Sequence, residues 1–391
     1  MNPSIDPIPF ARPMIGSDEE AAVLRVMRSG WLTTGDEASA FEREFAAFVG
    51  CRHALAVNSA TAGLHLALEA HGIGPGDEVL LSPYTFASAA AVVRHLGARP
   101  VFVDVERDGF NIDPKALAET AAAHPTARAV MPVHFAGLPC QMDRIIEVAR
   151  ANQLVVIEDA AHAFPSRTAG GYAGTIGDTG VFSFYATKTI TTGEGGMVCT
   201  DDDDIARRIT MMRLHGIDRT VWDRYRTPGA TWKYDVHEAG FKYNLPDILA
   251  AIGRVQLGRA EAFLEARKRI AARYREAFSD ADSLTLPPDG EGNAFHLFVV
   301  RLKLDSLTIG RDEFIASLSE RGIGCSVHFI PLHVMRFYAE TYGLSERQFP
   351  RALEAYRRAV SLPIYPGLDD DRIGRVIDAV RAVGAAHRRI R

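Results

Sequence analysis

The feature that most constrains this chain is a repeated switch of hydrophobic period between residues 54 and 158. Short apolar runs, Ala54–Val57, Glu78–Ser82, Pro100–Asp104, Ala129–Val133 and Leu154–Glu158, read as strands. Between them Ala62–Ala70, Ala87–Leu96, Pro114–Ala123 and Asp143–Ala151 carry helical spacing. Strand followed by helix, over and over, dictates right-handed crossovers and a mostly parallel sheet covered on both faces. Helical periodicity also precedes the alternation, at Glu19–Ser29 and Glu37–Val49. The expected class is therefore α/β, with a large domain whose parallel sheet is covered by helices.

Composition limits what such a chain does. Its 391 residues are enough for two domains, and 47% hydrophobic with 24% charged residues is ordinary globular composition. The formal net charge of −5 gives no global basic field, so neither nucleic acid nor an anionic membrane is an expected partner. The basic tail His387–Arg391 reads as a solvated terminus. Cys51, Cys140, Cys199 and Cys325 stand far apart, which excludes a CxxC metal or redox pair, and no metal site is expected. Met1 to Arg12 has no apolar core of the signal-peptide kind, and no apolar run approaches the ~18 residues of a membrane span. A cytoplasmic enzyme with reduced thiols is the expectation.

After Gly180 the texture changes. Val181–Phe184 and Gly196–Thr200 read as strands around a Gly/Thr-rich loop, and Asp201–Asp204 as a solvated loop. Ile248–Leu257 is expected to continue as one long helix to Phe278. Beyond it, strands His296–Leu302 and Val327–Phe329 and helices Arg311–Arg321, Arg351–Ala359 and Asp369–Val383 describe a smaller C-terminal α/β unit. The expected division is residues 1–255, including an N-terminal arm, and residues 256–391.

In open parallel sheets ligands gather where strands end. Asn58-Ser59-Ala60-Thr61-Ala62-Gly63 follows a strand and opens a helix, so its free N–H groups could face a phosphate. Ser or Thr as a plain N-cap is the competing reading. Glu158-Asp159-Ala160-Ala161-His162 ends a strand with an acid able to pair with a protonated ring nitrogen, or simply to cap a helix. His162 alone is as well explained as an interior histidine. Ser183-Phe184-Tyr185-Ala186-Thr187-Lys188 follows an apolar strand and precedes Gly193-Glu194-Gly195-Gly196. A lysine there is desolvated, which lowers its pKa and frees its amine for Schiff-base formation. A strand-end Asp, then a Ser and a Lys after the next strand, is the set that pyridoxal phosphate needs.

These segments, together with Gly30-Trp31-Leu32-Thr33-Thr34-Gly35, Gly240-Phe241-Lys242-Tyr243-Asn244-Leu245 and Leu362-Pro363-Ile364-Tyr365-Pro366, resemble the DegT/StrS-type sugar-nucleotide aminotransferases. The resemblance spans nearly the whole chain and implies an aspartate-aminotransferase-like, fold-type I pyridoxal phosphate enzyme. It implies Lys188 as the Schiff-base lysine and proton shuttle, Asp159 at the pyridine nitrogen, and His162 beside the ring. It implies Ser183 and the Ala60 and Thr61 amides as phosphate ligands, and Phe86 as the stacked aromatic. It implies that Asn244 reaches the phosphate of a neighbouring subunit in a homodimer with shared sites. His328, His333, Trp31, Thr33 and Thr34 become candidates for substrate contact, with structural roles as the alternative.

The activity so implied is transfer of an amino group from glutamate to a keto-sugar nucleotide, expected at C4, through pyridoxal 5'-phosphate and its pyridoxamine phosphate form. Amino-sugar or surface-polysaccharide synthesis is the expected setting. The segment with Lys242 and Asn244 looks like the branch that makes UDP-4-amino-4-deoxy-arabinose. Val327-His328-Phe329-Ile330-Pro331-Leu332-His333 looks more like aminotransferases of nonulosonate pathways, and the two signals disagree. Three alternatives stand beside this reading: a sugar dehydratase on the same scaffold, which Lys188 opposes because those relatives carry histidine there; a regulatory protein that keeps the cofactor pocket; and a cysteine-dependent sulfur-transfer enzyme.

Overall fold

A computed structural model describes residues 6–217 and 234–389. Its frame is a seven-stranded sheet of β1 (His53–Val57), β2 (Glu78–Leu81), β3 (Arg99–Phe102), β4 (Ala127–Met131), β5 (Val155–Asp159), β8 (Thr179–Ser183) and β9 (Gly196–Thr200). The spatial order is β1-β9-β8-β5-β4-β2-β3. Neighbours pair in parallel from β8 through β3, whereas β9 runs antiparallel to both β8 and β1. A short hairpin of β6 (Arg167–Thr168) and β7 (Gly171–Tyr172) lies between β5 and β8 in the chain.

Strand residues alternate between two apolar layers. Leu55, Val79, Leu81, Ile157, Val181 and Val198 pack with the helices Ala60–Ala70, Ala87–His95 and Asp203–Met212. Their sequence neighbours Ala54, Ala56, Phe182 and Met197 pack on the other face with helix Asp36–Val49, and Leu80, Val130 and Val156 with helices Pro114–Ala123 and Met142–Ala151. Both faces are apolar because both are covered, which is why these strands read as continuous hydrophobic runs.

The C-terminal unit is built on an antiparallel sheet of β10 (Leu284–Thr285), β11 (Phe298–Leu302) and β12 (Ala359–Leu362). Helices Ala260–Phe278, Arg311–Glu320 and Asp370–Ala386 close over it around Tyr274, Phe298, Phe314 and Val380. Ile8 belongs to this second core, tied in by Ile8 N–H to Gly322 O (2.8 Å) and Gly324 N–H to Ile8 O (2.8 Å). The N-terminal arm thus packs with the unit at the opposite end of the chain.

Four sequence expectations change. The helix expected to run to Phe278 breaks into Asp247–Leu257 and Ala260–Phe278, at the point where Arg259 turns to reach the buried carboxylate of Glu19 (3.0 Å). Asp201–Asp204 is not a solvated loop. The Asp202 carboxylate accepts from Asp204 N–H (2.8 Å) and Ile205 N–H (3.1 Å) and caps the helix Asp203–Met212. Val327–Phe329 forms no strand; only Ser326 makes an isolated bridge, to Ser361. The third strand of the small sheet is β12, which starts directly after helix Pro350–Arg358.

One glycine sets how closely a helix lies on the large sheet. A Cβ at Gly63 would come 2.6 Å from Val181 Cγ1 and 3.1 Å from Val198 Cγ2. Gly63→Ala should therefore lower stability by about 1–3 kcal/mol through overpacking. The effect is read as a drop in thermal midpoint, and an unchanged midpoint would show that the helix can lift without cost.

Candidate active site

The helix Ala60–Ala70 begins at the same end of the sheet where β5 and β8 finish. Ser59 caps it: its Oγ accepts from Ala62 N–H at 3.1 Å. The amides of Ala60 and Thr61 keep no acceptor among the described residues, which leaves two aligned donors at the positive end of a helix. A Cβ at Gly196 would sit 2.7 Å from Ser59 C and 2.8 Å from Ala60 N, so only glycine lets β9 run this close to the donors.

Asp159 ends β5, buried, with a carboxylate oxygen accepting from Ala161 N–H at 3.1 Å. Burial pushes its pKa up, while the Ala161 bond and the charge of Lys188 pull against that rise. The preceding residue points to the other face of the strand. There the fully buried Glu158 meets His134 Nε2 at 2.8 Å and accepts from the N–H groups of Gly174 (2.9 Å), Ile176 (2.6 Å) and Gly177 (2.7 Å). Cys140 N–H donates to His134 Nδ1 (3.0 Å), which places the His134 proton on Nε2, toward Glu158. Burial opposes ionisation of Glu158, but His134 and the backbone donors hold its pKa below the usual carboxylate value.

Lys188 sits in the turn after β8, half-buried. Burial lowers its pKa to about 8, with Asp159 opposing the fall. Ser183 ends β8 and is buried. Burial likewise drives the neighbouring imidazoles down: His162 and His296 well below their ordinary value and His328 to about 4. His328 Nδ1 lies 2.9 Å from Ser361 Oγ. Phe86 is 61% exposed although apolar, its ring 5.9 Å from that of Phe329.

These groups line one cavity of ≈ 610 Å³. Of the residues singled out from sequence, Ala60, Thr61, Phe86, Asp159, His162, Ser183, Lys188 and His328 lie on its wall. Trp31, Thr33, Thr34 and Asn244 do not; they gather in a second cluster of the same chain. Asn244 Nδ2 donates to Thr34 Oγ1 (2.7 Å), Thr34 Oγ1 to Leu245 O (2.6 Å), Trp31 Nε1 to Thr34 O (3.2 Å), and Asp247 N–H to Thr33 O (3.4 Å). Lys242 Nζ donates to Asn244 Oδ1 at 2.5 Å. His333 is not at the cavity either. It is fully buried against Phe349 (ring centroids 5.0 Å), and burial takes its pKa to about 4, so the apolar interior beside helix Arg336–Tyr342 claimed it.

Sequence reasoning missed Phe10, Tyr185, Glu194, His296 and Phe329, all on the cavity wall. Tyr185 lies within Ser183–Lys188, Glu194 within Gly193–Gly196 and Phe329 beside His328, so the sequence pattern itself points to them. Phe10 and His296 come from distant chain segments and carry no local signal.

A pyridoxal phosphate fits this donor set. Free helix amides suit a dianionic phosphate, an exposed aromatic suits a flat ring, and a buried carboxylate faces a desolvated amine across one cavity. With the parallel sheet, that arrangement defines a fold-type I pyridoxal phosphate-dependent aminotransferase. The DegT/DnrJ/EryC1/StrS aminotransferase family matches residues 13–381, and the chain belongs to that family. It is 46% identical over 379 residues to the spore coat polysaccharide biosynthesis protein SpsC of Bacillus subtilis, covering 96% of this chain and 97% of that protein. The putative sugar aminotransferase Spr1654 of Streptococcus pneumoniae in its PMP form superposes with a TM-score of 0.90 at 30% identity, over 97% of this chain and 99% of that one. Spr1654 is also known in a PLP form. Helicobacter pylori PseC, an aminotransferase involved in the biosynthesis of pseudoaminic acid, superposes with a TM-score of 0.90 at 26% identity, over 97% and 100% of the two chains.

The electrostatics of Lys188 set a pH test. Its amine is neutral above pH about 8 and charged below it, against about 10.4 for an exposed lysine. Acylation of Lys188 in the cofactor-free protein, followed by peptide mass spectrometry over a pH series, should show a midpoint near 8. Asp159→Asn removes the charge that favours the ammonium, so its midpoint should lie lower. A midpoint at the ordinary lysine value in the unsubstituted chain would contradict the desolvated site.

Proposed function

We propose that this sugar aminotransferase moves an amino group from glutamate to C4 of a keto-sugar nucleotide, for amino-sugar or surface-polysaccharide synthesis. The observation that carries the reading is the facing of Lys188 and Asp159 within one cavity beside two free helix amides. The names of SpsC and PseC support the biosynthetic setting. Bound pyridoxal phosphate supplies an electron sink for the carbon that carries the amino group.

Asp159 keeps the ring nitrogen protonated: a carboxylate beside that nitrogen raises its pKa by roughly 1–3 units. Lys188 Nζ, whose pKa burial lowers to about 8, takes a proton in its neutral form from the donor's α-carbon and later returns one to the sugar carbon. Ser183 and the Ala60 and Thr61 amides hold the phosphate, Phe86 covers the ring, and His162 stands beside it. His328, anchored by Ser361, borders the sugar side. Trp31, Thr33, Thr34 and Asn244 lie outside the cavity of their own chain; we assign them to the cavity of a second copy, in a cytoplasmic homodimer. We place the domain division at residue 255, in the last turn of helix Asp247–Leu257, with the N-terminal arm of the first domain packed on the second. The four cysteines lie off the cavity wall, which leaves sulfur transfer without a nucleophile.

The pyridoxamine phosphate-loaded protein, mixed with a panel of keto-sugar nucleotides, should regain the visible absorbance of the pyridoxal form with one of them. Glutamate should drive the opposite change in the pyridoxal form. Absence of both changes would leave a non-catalytic cofactor-binding protein. Lys188→Ala should retain the far-ultraviolet circular dichroism of the parent while losing about 10²–10⁴-fold of the turnover, the usual worth of a placed proton-transfer group. Turnover at the parental rate would reject the role.

A further inference from the structure

We infer that His296, contributed by the C-terminal unit, is a positioning residue that holds His162 in the tautomer with its proton on Nε2. The inference rests on the reading that His162 faces the cofactor ring.

Ala136 N–H donates to His162 Nδ1 at 3.3 Å. A nitrogen that accepts carries no proton, so neutral His162 is an Nε2–H donor, and that N–H has no acceptor among the described residues. A single bond this long orients a ring weakly. Three rings pack against it, Phe135 at 5.8 Å and Phe329 at 5.6 Å centroid to centroid, and closest of the three His296, 4.4 Å away and tilted by 50°. His296 is 5% exposed, and its Nδ1 is sealed from solvent without a partner. Such a nitrogen is better left as a bare lone pair than as an orphaned N–H.

The backbone around the two rings is built as one unit. Ala136 (φ 59°) and Phe295 (φ 48°) both occupy the left-handed region although neither is glycine. Leu297 N–H donates to Ala136 O (3.1 Å) and Ala294 N–H to Gly137 O (3.0 Å), so the segment bearing His296 is stitched to the segment that sets the His162 proton. A Cβ at Gly137 would stand 2.9 Å from Phe295 N and 3.0 Å from His296 N. Behind them lies the guanidinium of Arg267, 3% exposed and without a carboxylate partner among the described residues. Its Nη1 donates to Phe295 O (3.3 Å), His296 O (3.2 Å) and Ile364 O (2.8 Å). A buried cation spent on three carbonyls is an expensive anchor for an ordinary loop. Two strained residues and one buried arginine converge on the pair of imidazoles, and local strain of this kind persists where the surroundings over-determine it.

Full-length protein labelled with ¹⁵N-histidine reads the tautomer directly, with His162→Gln identifying the His162 resonances. The parent should show the Nε2–H form. His296→Ala should lower the Nε2–H to Nδ1–H ratio by up to about tenfold, the worth of one hydrogen bond. His296→Phe, which keeps the ring contact, should hold the ratio within about twofold of the parent. Should His296→Ala not fold, His296→Asn is read the same way. A merely structural role would shift the thermal midpoint and leave the ratio alone; an unchanged ratio, or a loss of it in His296→Phe, overturns the inference. Visible absorbance on adding pyridoxal phosphate to the parent tests the underlying reading separately. Without that absorbance the proposed function fails, whereas with it and an unmoved ratio only the role of His296 fails.

Discussion

Everything at this site follows from placing an acid and an amine in one cavity that withdraws both from bulk solvent. Burial raises the pKa of Asp159 and lowers that of Lys188, and each partly relieves the other through opposite charge. Neither would keep its shifted state in open solvent. The large sheet makes the arrangement possible because β5 and β8 are parallel neighbours. The end of β5 therefore lies beside the end of β8, and the turn that follows delivers Lys188 to the carboxylate.

The layer beneath Asp159 is as organised as the cavity itself. Adjacent strand residues face opposite ways, so Glu158 is driven into the interior while Asp159 faces the cavity. An isolated buried carboxylate would be costly. Here His134 and three backbone N–H groups surround it, and Cys140 N–H fixes the histidine proton on the side that serves Glu158. The strand end that carries Asp159 is thereby held from below by a satisfied polar network, which rigidifies a core when every member is paired.

The C-terminal unit contributes by reaching over the sheet ends. His296, His328 and Phe329 come from it, and Phe10 comes with the N-terminal arm whose Ile8 is packed into that unit's core. The resulting wall holds several imidazoles that burial keeps neutral, with Lys188 the lysine among the described lining residues. Neutral rings can donate and accept hydrogen bonds without attracting a second anion into the site.

The α/β class, the strands of the large sheet and the set Asp159–Ser183–Lys188 were legible from the chain alone. Hydrophobic period follows directly from which faces are covered, and residues at strand ends stay close to their strands in sequence. The end of the loop reading at Asp202 shows the limit: an acid run looks solvated until one carboxylate is seen to cap a helix. Val327–Phe329 shows another, since an apolar run does not tell a strand from an irregular wall. His333 and His328, five residues apart, looked alike, yet one is enclosed by the interior and the other faces the cavity. The separation of Trp31, Thr34 and Asn244 into their own cluster, and the arrival of His296 beside His162, were decided only by the tertiary structure. Such contacts join segments more than a hundred residues apart, and local spacing holds no record of which distant surfaces pack together.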